Sequence, residues 1–210
     1  MKKRQWLALS IIIASFAISL YFYQWMPERM ASHWNMAGDV DGYMPKVWAL
    51  FLLPAISLAI FALFLVIPKL DPMRNNIEKF RAYFDNFILI LFIFLFYIYL
   101  LTILWNVGAR FNMGQMLVPA FGLLIYYAGI LLQNAKRNWF IGIRTPWTLS
   151  NEQVWEKTHM LGGKLFRIAA VISFAGILFP DYALLFVLVP LIGFSVFLLV
   201  YSYVKYRTIV

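Results

Sequence analysis

The stretch "FDNFILILFIFLFYIYLLTILWNV", Phe84 to Val107, decides the fold class of this chain. It is an almost continuous apolar run, and its one formal charge, Asp85, lies close to its start. A helix needs about 20 apolar residues to cross the hydrocarbon core of a bilayer. The run therefore predicts a transmembrane helix.

Other apolar runs recur along the 210 residues, and the composition agrees with them: 63% of residues are hydrophobic and 13% are charged. Soluble domains carry about 25% charged residues. The predicted spans are Trp6–Trp25, Val47–Ile67, Phe84–Val107, Met116–Leu132, Leu165–Phe179 and Tyr182–Tyr201. We therefore predict an all-α fold: a polytopic membrane protein, built as a bundle of six transmembrane helices with short amphipathic interfacial helices.

The basic residues predict the orientation of this bundle. With the N-terminus inside, 15 of the 18 lysines and arginines are cytoplasmic, and only Arg29, Lys46 and Arg110 are outside. Because cytoplasmic loops carry the excess of basic residues, both termini are predicted to be cytoplasmic. The same rule explains the net charge of +9 without nucleic acid. The expected partner is thus the lipid bilayer, with inner loops that suit anionic head groups, and no direct nucleic acid binding is expected.

The chain is predicted to be one integral membrane unit in three consecutive stretches. Residues 1–67 hold the first two spans and an ordered outer loop at residues 26–46. Residues 68–135 hold a cytoplasmic connector with spans three and four, and residues 136–210 hold a second cytoplasmic loop with spans five and six. In the connector, Asp71 before Pro72 predicts a helix N-cap, followed by a helix that lies at the inner membrane surface.

Several kinds of chemistry lack the residues that they need. The chain has no cysteine, and its two histidines, His33 and His159, are predicted on opposite sides of the membrane, so they cannot share a zinc ion. No glycine-rich phosphate loop and no Ser/His/Asp set is present. Asp85 and Arg167 are placed at cytoplasmic span ends, and no charge lies near mid-depth, which argues against an ion-coupled carrier. We predict no catalytic residue, no metal and no cofactor.

The outer loop "PERMASHWNMAGDVDGYMPK", Pro27 to Lys46, carries the first group of candidate site residues. Gly38 and Gly42 permit turns beside Asp39 and Asp41. A metal site using His33 is the less favoured interpretation, because the spacing matches no standard metal loop. The candidate ligand-sensing or structural residues are His33, Trp34, Asn35, Gly38, Asp41, Gly42 and Lys46.

The inner loop "FIGIRTPWTLSNEQVWEKTHMLGG", Phe140 to Gly163, carries the second group. Pro146 disfavours a helical Thr145, so an extended segment is expected there. Ser150 to Gln153 has the form of a capping box and predicts a short helix, which Gly162-Gly163 would end. Either partner binding or packing for stability would account for such a loop. The candidate partner-binding residues are Arg144, Thr145, Pro146, Trp147, Glu152, Trp155 and His159.

Both loops resemble the bacterial SdpI family of multi-span membrane proteins. The segment "GIRTPWTLSNEQVW" is similar to the family's G-[IL]-R-T-P-W-T-L-x-x-[ED]-x-V-W signature, and the outer loop is similar to an element often found at the front of such proteins. The inner matches are Gly142, Arg144, Thr145, Pro146, Trp147, Thr148, Leu149, Val154 and Trp155. The outer matches are Pro27, His33, Trp34, Gly38, Asp41, Gly42 and Lys46.

The resemblance implies a protein of the bacterial cell membrane that protects its host from a secreted toxin peptide. It also implies signalling, in which a small cytoplasmic repressor protein is held at the membrane when toxin is present. No catalytic role follows from it.

Two alternatives stay open on the residues alone. One is a membrane enzyme or small-molecule carrier in which Arg144, Glu152, Glu156 and His159 line a cavity on the cytoplasmic side. The other is a structural scaffold without a ligand.

Overall fold

The computed structural model describes residues 2–209 and confirms the predicted helical membrane bundle. Six helices of the described chain are long and apolar enough to cross a membrane. The helices are α1 Lys3–Phe22, α2 Lys46–Leu70, α3 Arg74–Lys79, α4 Arg81–Asn106, α5 Met113–Asn134, α6 Pro146–Ser150, α7 Glu152–Ala175 and α8 Leu185–Ile209. The short helices α3 and α6 lie at the end of the bundle that holds both chain termini, which we call the termini end.

The six long helices form two groups. Helices α1, α2 and α4 pack against one another, helices α5, α7 and α8 form the second group, and α4 packs on α5 to join them. A buried apolar cluster rich in phenylalanine extends from the first group to Ile141 and Trp155, in and after the α5–α7 connection. The inner loop therefore belongs to the packed core of the protein.

Span five differs from its prediction, because α7 runs without a break through Gly162 and Gly163. The prediction that these glycines end a short helix was wrong. A Cβ at Gly163 would stand 2.5 Å from the carbonyl oxygen of Gly129 on α5, so the missing side chain allows the two backbones to approach closely. A further consequence is that Arg167 lies well inside α7 and not at its end.

The predicted capping at Asp71 was also wrong. Asp71 follows the last residue of α2, and α3 starts three residues later with Met73 as its N-cap. The buried Asp71 carboxylate accepts a hydrogen bond from the Met73 amide at 2.6 Å and from the Trp139 amide at 2.9 Å. Asp71 therefore fastens the α2–α3 turn to the inner loop. Asp85, as expected, is bonded at its helix end, where it accepts from Arg81 Nε at 2.9 Å.

The outer loop forms an antiparallel β-hairpin that sequence patterning did not predict. Strands β1 Arg29–Trp34 and β2 Val40–Pro45 pair in register from Arg29↔Pro45 to Trp34↔Val40, with irregular pairing around His33. Gly38 lies in the turn with a φ of +90°, a backbone conformation that glycine adopts readily. We call this end of the bundle the hairpin end.

Candidate functional sites at the two ends of the bundle

At the termini end, Asn138 sets the path of the chain after α5. Its buried side-chain oxygen accepts from the amides of Phe140 at 2.9 Å and Ile141 at 2.6 Å. Its side-chain nitrogen donates to the carbonyls of Lys136 and Ile141, each at 2.8 Å. All the hydrogen-bonding capacity of one amide group is thus used to fold a tight turn. Sequence reasoning did not select Asn138, although asparagine after a helix is a turn signal.

Gly142 and His159 fit against each other beneath this turn. Gly142 has a φ of +119°, and a Cβ there would collide with His159 Nε2. The same nitrogen accepts a hydrogen bond from the Ile143 amide at 2.9 Å, while His159 Nδ1 lies 2.8 Å from the Trp155 carbonyl. Since an amide only donates and a carbonyl only accepts, these partners require the neutral tautomer with hydrogen on Nδ1.

Trp155 fastens α7 to the end of α5. Its side chain is fully buried, its indole nitrogen donates to the Ala135 carbonyl at 2.9 Å, and its ring stacks on His159 with centroids 3.9 Å apart. A buried indole needs such a partner for its N–H. Trp155 and His159 are therefore internal residues, and neither offers a surface to another molecule.

The Thr-Pro pair starts α6. Thr145 is extended as predicted, with φ −109° and ψ 161°, and its hydroxyl accepts from the Thr148 amide as an N-cap. Pro146 takes the first helical position, which suits its fixed φ. The Thr145 hydroxyl also lies 3.1 Å from Ser202 Oγ on α8. The cap of α7 is Asn151, one residue after the predicted Ser150.

The remaining candidates at the termini end are accessible. Arg144 is exposed and donates to the Trp139 carbonyl at 2.8 Å. Glu152 is exposed beside Arg137 at 3.6 Å, and the half-buried Trp147 packs on the Tyr203 ring with centroids 5.1 Å apart. With the exposed Pro146, these residues form an outer surface, which we call the inner-loop surface: Arg144, Pro146, Trp147 and Glu152.

The polar cavity required by an enzyme or carrier does not form from the residues proposed for it. Arg144 faces outward, His159 is enclosed with both ring nitrogens occupied, and Glu156 lies 3.6 Å from Lys136 at the surface. The cavity next to this segment, about 300 Å³ and lined by Gly142 and Ile143, has otherwise apolar walls from α2, α4, α5 and α7. The clustering of Arg, Glu and His that motivated the enzyme or carrier alternative is therefore not found around a cavity in the structure.

At the hairpin end, six of the seven outer candidates lie within one compact hairpin, and the seventh, Lys46, is the first residue of α2. His33 Nδ1 lies 2.5 Å from Asp41 across the strands, and Gly42 stands opposite His33, where a Cβ would come within 2.8 Å of the His33 Cβ. Asn35 accepts from the Asp39 amide at 2.9 Å in the turn. In residues 2–209, no three His, Asp or Glu side chains are placed to hold one metal ion.

Contacts near both ends of β1 attach the hairpin to the helices. Lys46 Nζ lies 2.7 Å from Glu28, and Trp34 packs edge-on against Trp105 with ring centroids 5.8 Å apart.

Two asparagines that sequence reasoning missed hold the hairpin on the bundle. The Asn106 side chain accepts from the Ala31 amide at 2.8 Å and donates to the Ala31 carbonyl at 3.0 Å, as a neighbouring strand would. Asn112 donates to the Ala37 carbonyl at 2.8 Å and caps α5. Neither residue belongs to a recognisable motif, and only their contacts 75 residues away along the chain reveal their role.

A groove of about 190 Å³ lies between this hairpin and the outer halves of α2 and α4. Ser32 and Met44 of the hairpin form its roof, Ala49 and Leu53 of α2 form part of its apolar wall, and Thr102 of α4 adds a hydroxyl. We call it the hairpin groove.

Comparison with known proteins gives matches to both ends. Residues 134–203 match the family model described as the SdpI/YfhL protein family, and residues 10–58 match the domain of unknown function DUF1648. The chain is 26% identical to the immunity protein SdpI of Bacillus subtilis (strain 168), over 98% of this chain and 97% of that protein. No solved structure matches. The first region contains the inner loop with α7 and the second contains the hairpin, so both ends of this multi-pass membrane protein lie in regions that match a family model.

Proposed function

We propose that this chain is an immunity protein of the bacterial cell membrane, which protects its cell from a secreted antimicrobial toxin peptide. The observation that carries the proposal is the similarity to an immunity protein over 98% of the chain, which includes both the hairpin and the inner loop. Residues 27–46 at one end of the bundle and residues 138–159 at the other therefore both lie in the part of the chain that is similar to that immunity protein.

In the proposed orientation, the hairpin end faces outward. Only three basic residues, Arg29, Lys46 and Arg110, lie at this end, and the other 15 lie at the termini end or along its helices. Cytoplasmic surfaces of membrane proteins carry this excess. A peptide that arrives from outside would therefore meet the hairpin first.

The hairpin groove is the proposed contact site for the peptide. It is preformed, because Asn106 and Asn112 hold the hairpin against α4 and α5. Its wall is mainly apolar, with one hydroxyl from Ser32 of the hairpin and one from Thr102 of α4. An amphipathic peptide at the outer membrane surface presents apolar side chains next to polar backbone groups, which fits such a lining.

The inner-loop surface is the proposed contact site for a small cytoplasmic repressor protein. Its Trp147 offers an aromatic anchor of the kind that dominates protein interfaces, and Arg144 offers an exposed guanidinium. The surrounding termini end is strongly basic, which would attract an acidic patch on a soluble partner. The buried residues Thr145, Trp155 and His159 contribute by holding this surface in shape.

An immunity assay tests the main proposal. A sensitive bacterium that expresses the chain is challenged with candidate secreted peptides, and survival is compared with that of cells carrying an empty vector. We expect protection against a cognate peptide. Unchanged sensitivity across the candidates, with the protein present in the membrane, would contradict the proposal.

Two variants separate the peptide site from general damage. Ala49→Trp fills the hairpin groove and should abolish protection. Val171→Trp adds the same ring on the lipid-facing side of α7, where Val171 is 65% exposed, and should leave protection intact. Equal protection by both variants would exclude the groove as the peptide site.

A pull-down tests the inner-loop surface. Arg144→Ala should reduce recovery of a soluble repressor relative to wild type, and Lys79→Ala, which removes a cation from α3 at the same end, should not. Equal recovery with Arg144→Ala would remove Arg144 from the binding site.

A further inference from the structure

One side of α7 carries three basic residues that have no acidic partner. Lys157 and Lys164 are seven residues apart, so they lie on the same side of the helix, and Arg167 follows Lys164 by three residues. Both lysines are exposed. Among residues 2–209, no carboxylate oxygen lies within 4.0 Å of a charged nitrogen of these three side chains, and all nine acidic residues are in that range.

The two lysines border an open cleft between α7 and α8. The cleft measures about 390 Å³ and is lined by Glu156, Lys157, Met160, Leu161, Lys164 and Tyr201. Its one carboxylate, on Glu156, already faces Lys136 Nζ at 3.6 Å. The cleft therefore combines positive charge with a phenol and with apolar side chains.

The position of this cleft relative to the bilayer is set by its neighbours. On the same side of α7, Ile168 and Val171 are 49% and 65% exposed, as expected for a surface in contact with lipid tails. Arg167 packs on Gly129, five residues before the end of α5, which places its backbone roughly 8 Å below that end. Long basic side chains at such a depth extend toward the head groups.

We propose that this cleft binds the head group of an anionic phospholipid of the inner leaflet. Lys157 and Lys164 would hold the phosphate, with Tyr201 as a further hydrogen-bond donor, and Arg167 would approach it from below. Met160 and Leu161 would contact the glycerol and the first carbons of the acyl chains. The orientation used here is the one that the basic residues predict. The proposal does not depend on the immunity function.

The charge balance favours an anionic lipid over a zwitterionic one. A choline or ethanolamine head group brings its own cation, and the one carboxylate in the cleft is already next to Lys136. An anionic head group without a cation leaves the two lysine side chains free to act on its phosphate, while Arg167 Nε donates to the Gly163 carbonyl at 3.3 Å and only its other guanidinium nitrogens are available. Each basic residue near an anionic membrane surface contributes about 1 kcal/mol, which corresponds to about a fivefold change in affinity.

The test is a lipid titration of the purified full-length chain in detergent, followed by native mass spectrometry. The lipids are phosphatidylglycerol and phosphatidylcholine, and free glycerol phosphate serves as a soluble anion. We expect wild type to bind phosphatidylglycerol in preference to phosphatidylcholine, and to bind glycerol phosphate weakly. Lys157→Gln/Lys164→Gln should lower the affinity for phosphatidylglycerol about 25-fold.

Two further variants make the result decisive. Lys157→Arg/Lys164→Arg keeps the charge and should keep the affinity. Lys3→Gln/Lys69→Gln removes two exposed cations from α1 and α2 at the same end and should leave the affinity unchanged. An equal loss in this last variant, or glycerol phosphate binding as tight as that of the lipid, would overturn the proposal.

Discussion

Replacement of Gly142 by alanine is predicted to destabilise the termini end strongly. The change has two costs, because Gly142 has a φ of +119° and its missing Cβ leaves room for His159 Nε2. A residue other than glycine in this backbone region costs about 1–3 kcal/mol. Displacement of His159 weakens its hydrogen bonds to Ile143 and Trp155, at about 1 kcal/mol each. We expect a total loss of about 3–5 kcal/mol.

Two other glycines of the chain serve as matched controls. Gly108 has a φ of +112°, and a Cβ at this position would have no heavy atom within 4 Å, so Gly108→Ala should show the backbone cost alone. Gly193 lies inside α8, also with nothing within 4 Å, so Gly193→Ala should be neutral or slightly stabilising.

The measurement is equilibrium unfolding of the purified protein in mixed micelles, with increasing denaturing detergent. We expect Gly193→Ala to be the most stable of the three variants, Gly108→Ala to be less stable, and Gly142→Ala to be the least stable. If Gly142→Ala unfolds at the same midpoint as Gly108→Ala, the contact between Gly142 and His159 does not contribute to the free energy of unfolding. If it matches Gly193→Ala, neither the backbone cost nor the contact cost applies at Gly142.

Three further changes test individual contacts. Asn106→Ala removes both side-chain bonds to Ala31, and the hairpin should become sensitive to protease at a loss of about 2 kcal/mol. Trp155→Phe leaves the buried carbonyl of Ala135 without its partner and should cost about 1–3 kcal/mol in micelle unfolding. Gly163→Val should force α5 and α7 apart and lower the thermal midpoint by several degrees.

Each of these has a control at a comparable position. Asn134→Ala breaks only a bond within its own helix, and a cleavage rate equal to that of Asn106→Ala would contradict the role of Asn106. Trp139→Phe alters a ring that is 50% exposed, and an equal loss there would mean that the indole bond of Trp155 is unimportant. Gly193→Val should be tolerated, and a midpoint shift equal to that of Gly163→Val would refute a special role for the close contact between α5 and α7.

The features that sequence predicted correctly depend on short stretches of chain. An apolar run of about 20 residues can be satisfied only in a bilayer or a core of the same depth, so the six spans follow from composition and length. The extended Thr145 follows from the ring of Pro146 directly after it. These outcomes need no knowledge of which helix packs against which.

The features that sequence missed all depend on contacts between distant parts of the chain. Gly162-Gly163 looks like a helix end, yet α7 continues, because Gly163 is needed where the α5 backbone comes close and Gly162 is needed where Ile143 of the inner loop packs on α7. The hairpin has weak strand patterning of its own and is held by Asn106, whose role is visible only in the folded chain. A local sequence pattern cannot reveal a contact with a residue that is distant along the chain.

The candidate sites divide in the same way. The sequence by itself determined a six-helix membrane protein with one ordered segment at each end, because hydropathy and turn residues act locally. Only the tertiary structure decided that Trp155 and His159 are internal while Arg144 and Trp147 face outward. The reason is physical, because the burial of a side chain depends on what packs against it in the folded chain. Trp155 and His159 are covered by segments that contain Ala135 and Ile143. Arg144 faces solvent, and Trp147 packs on the Tyr203 ring.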